Sequence, residues 1–240
     1  LGGGRDGPVH ALAVYGNELI AGGDFTMAGG VSASQIARWN GISWQPLGSG
    51  MNSTVFCLTV YGNELVAGGD FTVAGGVSAR IARWNGETWQ NVGTGATGRV
   101  YALHPLGNSL IAAGLGSIGG VSDPIARWNG VSWNALDSGI DGPEVYGLAV
   151  HDGDLFAGGT FKTAGGHGSY YWAHWIDNDG VATGDGNSDG FTDGRDIQGF
   201  VELLTQGTLP VGGECAYDMT GDGSVSHADV DLFVERLLGS

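Results

Sequence analysis

Apolar and polar positions along the chain fall into short extended stretches broken by glycine, asparagine and aspartate. From Val55 onward, Val55, Cys57 and Thr59 lie on one face of an extended chain and Phe56, Leu58 and Val60 on the other. Both faces are largely apolar, the pattern of a strand held between neighbouring sheets. Further stretches of this kind run over residues 64–69, 81–84 and 88–92, and Gly62-Asn63 and Asn85-Gly86 supply turns between them. The pattern predicts four short antiparallel strands in this span. No stretch of the first 176 residues has the spacing of a helix of useful length.

The whole pattern returns four times. IARWNG stands at Ile36, Ile81 and Ile125, with a degenerate WAHWID at Trp172, and Trp39, Trp84, Trp128 and Trp175 are spaced by 45, 44 and 47 residues. Around them lie units near residues 9–50, 55–95, 100–139 and 145–176, each with a Gly-Gly or Ala-Gly pair after its second strand. Three units close with a second Trp, at Trp44, Trp89 and Trp133. Four strands per unit of about 45 residues is the size of one blade of a β-propeller. The opening LGGG matches the LGSG that closes a unit at Leu47, and the fourth unit lacks its closing Trp strand. The expectation is either a ring of four blades or, as the favoured reading, the C-terminal part of a longer array.

Composition sharpens this picture. Glycine makes up 48 of 240 residues, about three times average usage, yet the doublets never fall into the three-residue period of collagen. With 42% hydrophobic residues and eight Trp, disorder is also excluded.

The repeats resemble the kelch family, whose blade carries an apolar strand ending in Gly-Gly and followed by two spaced aromatics. Here the doublets are Gly22-Gly23, Gly68-Gly69 and Gly158-Gly159, and the aromatics are the Trp pairs. Trp stands where a kelch blade usually has Tyr, and a second doublet appears at Gly29-Gly30, Gly75-Gly76, Gly119-Gly120 and Gly165-Gly166. The resemblance implies a mainly β, kelch-like propeller over residues 1–178 and leaves function open, since that architecture hosts enzymes and binding modules alike.

Within the repeats, Asp24 and Asp70 are expected to pair with Arg38 and Arg83 of their own units. A group present in every blade is structural by expectation, because an active site needs one asymmetric constellation. The repeated Trp residues are expected to fill the core between blades. Departures from the repeat, namely His104, His151, His167, Tyr170, Tyr171, Trp172 and His174, are the better site candidates, although an end blade adapting to its neighbour explains them more simply. The sialidase Asp box fails at Trp84, and Cys57 occupies a small core position shared with Ala11, Ala102 and Gly147. With Cys215 it makes no disulfide framework. No catalytic residues are assigned.

Charge divides the chain. The net charge is −16, and residues 177–240 hold 13 acidic and 2 basic side chains against 12 and 7 in the preceding 176. Such an excess argues against nucleic acid or an anionic membrane as partner, and no apolar run reaches the length of a membrane span. Two loops concentrate the acid: DGNSDGFTDGRD from Asp185 and DMTGDGSVSHAD from Asp218. Both place oxygen donors at positions 1, 3, 5, 9 and 12 with Gly at position 6, which suits Ca²⁺. The first set is Asp185, Asn187, Asp189, the Phe191 carbonyl, Asp193 and Asp196. The second is Asp218, Thr220, Asp222, the Ser224 carbonyl, Ser226 and Asp229, and it is expected to be weaker because Thr220 is neutral. Each loop leads into an amphipathic helix, with Ile197, Phe200 and Leu204 on one face and Val230, Phe233 and Leu237 on the other's.

Aspartate at position 12 and a single helix after each loop make residues 181–240 resemble a type I dockerin. The resemblance implies a small α-helical, EF-hand-like domain over residues 179–240, two Ca²⁺ ions, and docking to a cohesin-like protein or a cell-surface scaffold. It also implies recognition through loop positions 10 and 11, here Gly194, Arg195, His227 and Ala228, with an extracellular or surface location. The expected function is a non-catalytic exported protein whose propeller offers a surface to a glycan or protein ligand. The competing expectation is a carbohydrate-active enzyme or its accessory subunit.

Overall fold

A computed structural model describes residues 4, 6–136, 138–151 and 153–175, and these are all β and turn. The first unit supplies β1 (Val9–Tyr15), β2 (Glu18–Gly23), a two-residue pair β3 (Met27–Ala28) and β4 (Val31–Ser32), then β5 (Ile36–Trp39) and β6 (Trp44–Pro46). The second repeats it as β7 (Val55–Tyr61), β8 (Glu64–Gly69), β9 (Val73–Ala74), β10 (Val77–Ser78), β11 (Ile81–Trp84) and β12 (Trp89–Asn91). The third has β13 (Val100–Leu106), β14 (Ser109–Gly114), β15 (Ile125–Trp128) and β16 (Trp133–Asn134). The last contains β17 (Ile140–Asp141), β18 (Val145–His151), β19 (Asp154–Gly159), β20 (Thr163–Ala164), β21 (His167–Gly168) and β22 (Trp172–Trp175).

Three units form four-stranded antiparallel sheets in the orders β1-β2-β5-β6, β7-β8-β11-β12 and β13-β14-β15-β16, and the fourth is three-stranded, β18-β19-β22. The first strands of successive sheets lie side by side, β1 by β7, β7 by β13 and β13 by β18. Sequential antiparallel sheets stacked face to face around adjacent first strands make the fold propeller-like. The short pairs β3-β4 and β9-β10 were not expected from the sequence. They are built on the second glycine doublets, where Gly29, Gly30, Gly75 and Gly76 all take positive φ that a side chain resists.

Each sheet therefore has a receiving face and a covering face. Ile20 and Ile36 of the first sheet cover Leu65, Ala67, Ala82, Trp84 and Trp89 of the second in one buried cluster. Cys57, Val66 and Ile81 of the second cover Leu103, Leu110, Ala112, Ala126 and Trp128 of the third in another. The second Trp of a unit also reaches back across this boundary: Trp89 Nε1 donates to the Leu47 carbonyl (3.1 Å) and Trp133 Nε1 to the Val92 carbonyl (2.9 Å). The repeated Trp residues thus fill the core between sheets, as expected, and satisfy a buried carbonyl there.

The first glycine doublet has two separate causes. A Cβ on Gly22 or Gly68 would stand 2.6 Å from Val55 Cγ1 or Val100 Cγ1, the first-strand valine of the next sheet. A Cβ on Gly23 or Gly69 would stand 2.1 Å from the carbonyl of Pro8 or Thr54, in the same sheet. That carbonyl is brought in by an irregularity in the pairing between Val9 and Ala11 and between Val55 and Cys57.

Candidate functional site

The sequence-assigned calcium ligands, from Asp185 to Asp196 and from Asp218 to Asp229, and the recognition positions Gly194, Arg195, His227 and Ala228, lie outside the described residues. So do the two helices expected after the loops, and Cys215. Among the described residues no three His, Cys, Asp or Glu side chains gather as a metal site.

The described residues do assemble one surface of distinct chemistry, at the end of the sheets where the first strands begin. The second residue of each first strand is aromatic: His10, Phe56, Tyr101 and Tyr146. Their rings form a ladder across four sheets, with centroids 5.7, 5.6 and 5.5 Å apart in succession. Such spacing with inclined planes is the favoured geometry of aromatic pairs. The ladder follows from the fold, because one position in every unit lands beside its counterpart when the first strands align.

Charge flanks this ladder. Asp70, just after β8, receives Arg80 Nη1 and Arg99 Nε, both at 3.3 Å. Arg99 precedes β13, so this carboxylate bridges the second and third sheets. The Tyr101 hydroxyl, and then Asp70, hold the Arg99 guanidinium above its ordinary pKa. At the next step of the ladder the Tyr146 hydroxyl donates to Glu144, and that carboxylate pushes the phenol pKa up. Tyr146 is 49% exposed. Arg80 also lines a shallow groove of about 160 Å³, with Thr72, Ser78, Ala79, Thr94, Gly95 and Ala96. Aromatic faces beside fixed hydroxyl, guanidinium and carboxylate groups suit a flat, hydroxyl-rich or amide-rich ligand. Aligning the four units would have shown a ring at the second position of every first strand, though not that the rings meet.

The expected Asp24–Arg38 and Asp70–Arg83 pairs are not formed. Arg38 Nη1 instead meets Glu18 Oε2 at 3.3 Å, and Arg83 Nη1 meets Glu64 Oε2 at 3.2 Å. The reason is register: Arg38 sits opposite Ile20 and Arg83 opposite Val66, in mid-strand, whereas the aspartates lie past the strand end. The same place is held by Arg127 Nε donating to Ser109 Oγ (2.8 Å) in the third unit and by His174 Nε2 beside Asp154 Oδ2 (2.8 Å) in the fourth. His174 thereby stands in for the repeat arginine, as its place in the fourth unit suggests. His104 Nδ1 contacts the Pro105 carbonyl at 2.7 Å. Tyr170, Tyr171 and Trp172 are all exposed, at 67, 61 and 60%. Cys57 is a buried free thiol, as expected of a core position, and burial pushes its pKa up.

No family model matches this chain, and no curated protein matches it. Among solved structures, the computationally designed Ika4 protein aligns at 18% identity and a TM-score of 0.49, over 73% of this chain and 95% of that one. The extracellular domain of the one-component system BT4673 from B. thetaiotaomicron aligns at 13% identity and a TM-score of 0.49, over 72% of this chain, which spans only 21% of that one. The WD40 β-propeller domain of Doa1 aligns at 13% identity and a TM-score of 0.39, over 66% of this chain and 64% of that domain.

Proposed function

We propose that this chain is a non-catalytic exported protein whose kelch-like propeller presents a recognition surface and whose acidic tail docks it to a cohesin-like partner or surface scaffold through calcium. The observation that carries the reading is the duplicated donor pattern at Asp185 and Asp218, with oxygen side chains at the same five loop positions and Gly at the same turn. Asp185, Asn187, Asp189, Asp193 and Asp196, with the Phe191 carbonyl, would hold one ion. Asp218, Thr220, Asp222, Ser226 and Asp229, with the Ser224 carbonyl, would hold the other. Bound calcium offsets the repulsion among these carboxylates and stabilises a segment of small core. Extracellular calcium-binding modules fill at roughly 10⁻⁴ to 10⁻³ M, which fits a surface location.

The aromatic ladder and its flanking charges support the recognition role, with glycans or polar peptides as the ligand class. Glycan-array binding of the full chain in calcium, run beside a polysaccharide hydrolysis screen, tests it. Binding without release of reducing sugar is expected. Catalytic release of reducing sugar would replace this reading with that of a carbohydrate-active enzyme.

A further inference from the structure

We propose that the boundary between the second and third sheets binds an acidic sugar residue, whose carboxylate or sulfate is taken by the paired guanidinium groups of Arg80 and Arg99. This rests on reading the ladder as part of a recognition surface, and it commits one place on that surface to one class of ligand.

The two arginines are departures from the repeat. Arg80 stands directly before β11, where the other units have Gln35, Pro124 and Tyr171. Arg99 stands directly before β13, where the others have Pro8, Thr54 and Glu144. The fold brings both onto one carboxylate, with Arg80 Nη1 and Arg99 Nε each 3.3 Å from Asp70 Oδ1. Arg80 Nη1 also donates to the Asp70 main-chain carbonyl at 3.2 Å. Among the described residues no other carboxylate is shared by two arginines: Glu18 and Glu64 each meet one, within their own sheet. Recognition of one ligand calls for such an asymmetric constellation.

These three side chains carry one positive charge more than negative, in a chain whose total is −16. At about 0.15 M salt, exposed charges beyond about 8 Å are largely screened, so a small anion responds to the local surplus. Both arginines are reachable, with 23 and 50% of their side-chain surface exposed. The contacts to Asp70 through Nη1 of one and Nε of the other leave further N–H donors of each planar fork for a second oxyanion.

The surroundings suit a sugar better than a bare ion. Arg99 lies beside the Tyr101 hydroxyl, and the Tyr101 ring sits between Phe56 and Tyr146 in the ladder. Arg80 lines the shallow groove of about 160 Å³ together with the hydroxyl residues Thr72, Ser78 and Thr94. That volume is well under the roughly 300 Å³ at which enclosed ligand pockets begin, so a ligand lies across the groove with one ring and its acidic group held. Aromatic surface for the ring, hydroxyls for its oxygens and guanidinium for its charge are the contacts such a residue needs.

Calorimetric titration of the full 240-residue chain, with calcium held constant, tests this. The probes are trigalacturonate and its methyl ester, and a sulfated trisaccharide and its unsulfated parent. The chain is expected to bind at least one acidic probe about tenfold more tightly than its neutral counterpart, the equivalent of one charge-assisted hydrogen bond. Which acidic probe does so tells carboxylate from sulfate. Arg80→Gln and Arg99→Gln are each expected to lose the preference while binding the neutral probes as the parent does. Asp70→Asn removes the competing carboxylate, leaves both cations and is expected to keep or strengthen the preference. Circular dichroism checks that each variant keeps its β signal. Equal binding of acidic and neutral probes overturns the proposal and leaves the recognition reading standing. No binding of any probe overturns it as well, and the recognition reading falls with it only if the glycan array is also blank. A preference kept by both arginine variants places the acid elsewhere, and one lost in Asp70→Asn as fully as in them marks the cluster as a clamp between sheets; either result overturns the proposal.

Discussion

Gly68 lies beneath Val100 of the neighbouring sheet, so closely that a methyl group on it would stand 2.6 Å from Val100 Cγ1 and 2.8 Å from Cys57 Sγ. The contact gives the motif a packing reason at this boundary, whereas the third unit holds Ala113 in the equivalent place. Gly68→Ala should therefore destabilise by about 1 to 3 kcal/mol through overpacking. Gly168→Ala, where nothing lies within 4 Å and φ is not positive, should be neutral or stabilise by up to about 1 kcal/mol. Urea unfolding of the two variants against the parent checks the contrast.

Trp133 couples two sheets by one hydrogen bond as well as by its ring. Trp133→Phe keeps most of the packing but removes the indole donor from the Val92 carbonyl, which still accepts from the Gly95 amide at 3.2 Å, and should cost about 0.5 to 1.5 kcal/mol. Trp133→Ala should cost about 3 to 5 kcal/mol, since a cavity is added. A thermal melt of each variant distinguishes the two contributions.

Asp6 accepts from the Thr26 hydroxyl and from the Thr26 and Met27 amides, at 2.8 Å for the amides, and ties the loop before β1 to the β3-β4 pair. The Thr26 hydroxyl, and then the Met27 amide, hold its pKa below the ordinary 3.8. A lowered carboxylate pKa gives stability that is present above pH 3.8 and is lost as pH falls through the folded value. Asp6→Asn should be the less stable protein at neutral pH, and the gap should narrow as the medium becomes more acidic than the ordinary carboxylate pKa. Chemical denaturation across that pH range reads the difference directly.

Cys57 contributes packing and no reactivity. Its thiol is buried beside the Val100 carbonyl, 3.8 Å from Sγ, and its pKa is raised by desolvation. Since thiolate is the reactive species, a thiol reagent should leave Cys57 unmodified in the native protein and label it once urea unfolds the chain. A Cys215→Ser background isolates the signal, and rapid native labelling would contradict the buried placement.

Much of the sheet architecture was legible because strand and turn signals agree. The four expected strands of the second unit appear at Val55–Tyr61, Glu64–Gly69, Ile81–Trp84 and Trp89–Asn91, the last shorter than its pattern. Asn85, read as a turn residue, caps that turn by accepting from the Glu87 and Thr88 amides, both at 2.9 Å. Period-two alternation could not show which polar side chains meet. Arg83 pairs with Glu64 rather than Asp70 because pairing depends on cross-strand register, which a linear spacing does not encode. The aromatic ladder was missed for a related reason. His10, Phe56, Tyr101 and Tyr146 are about 45 residues apart, and only the side-by-side placement of the first strands makes them neighbours.

Calorimetric titration of Ca²⁺ into the metal-free full chain reads out the proposed calcium-dependent docking tail behind the propeller-like recognition unit. Two ions per chain are expected, the tighter lost in Asp189→Ala and the weaker lost in Asp222→Ala, with each variant keeping the other. No saturable calcium binding by the parent chain, or binding unchanged in both variants, would contradict it.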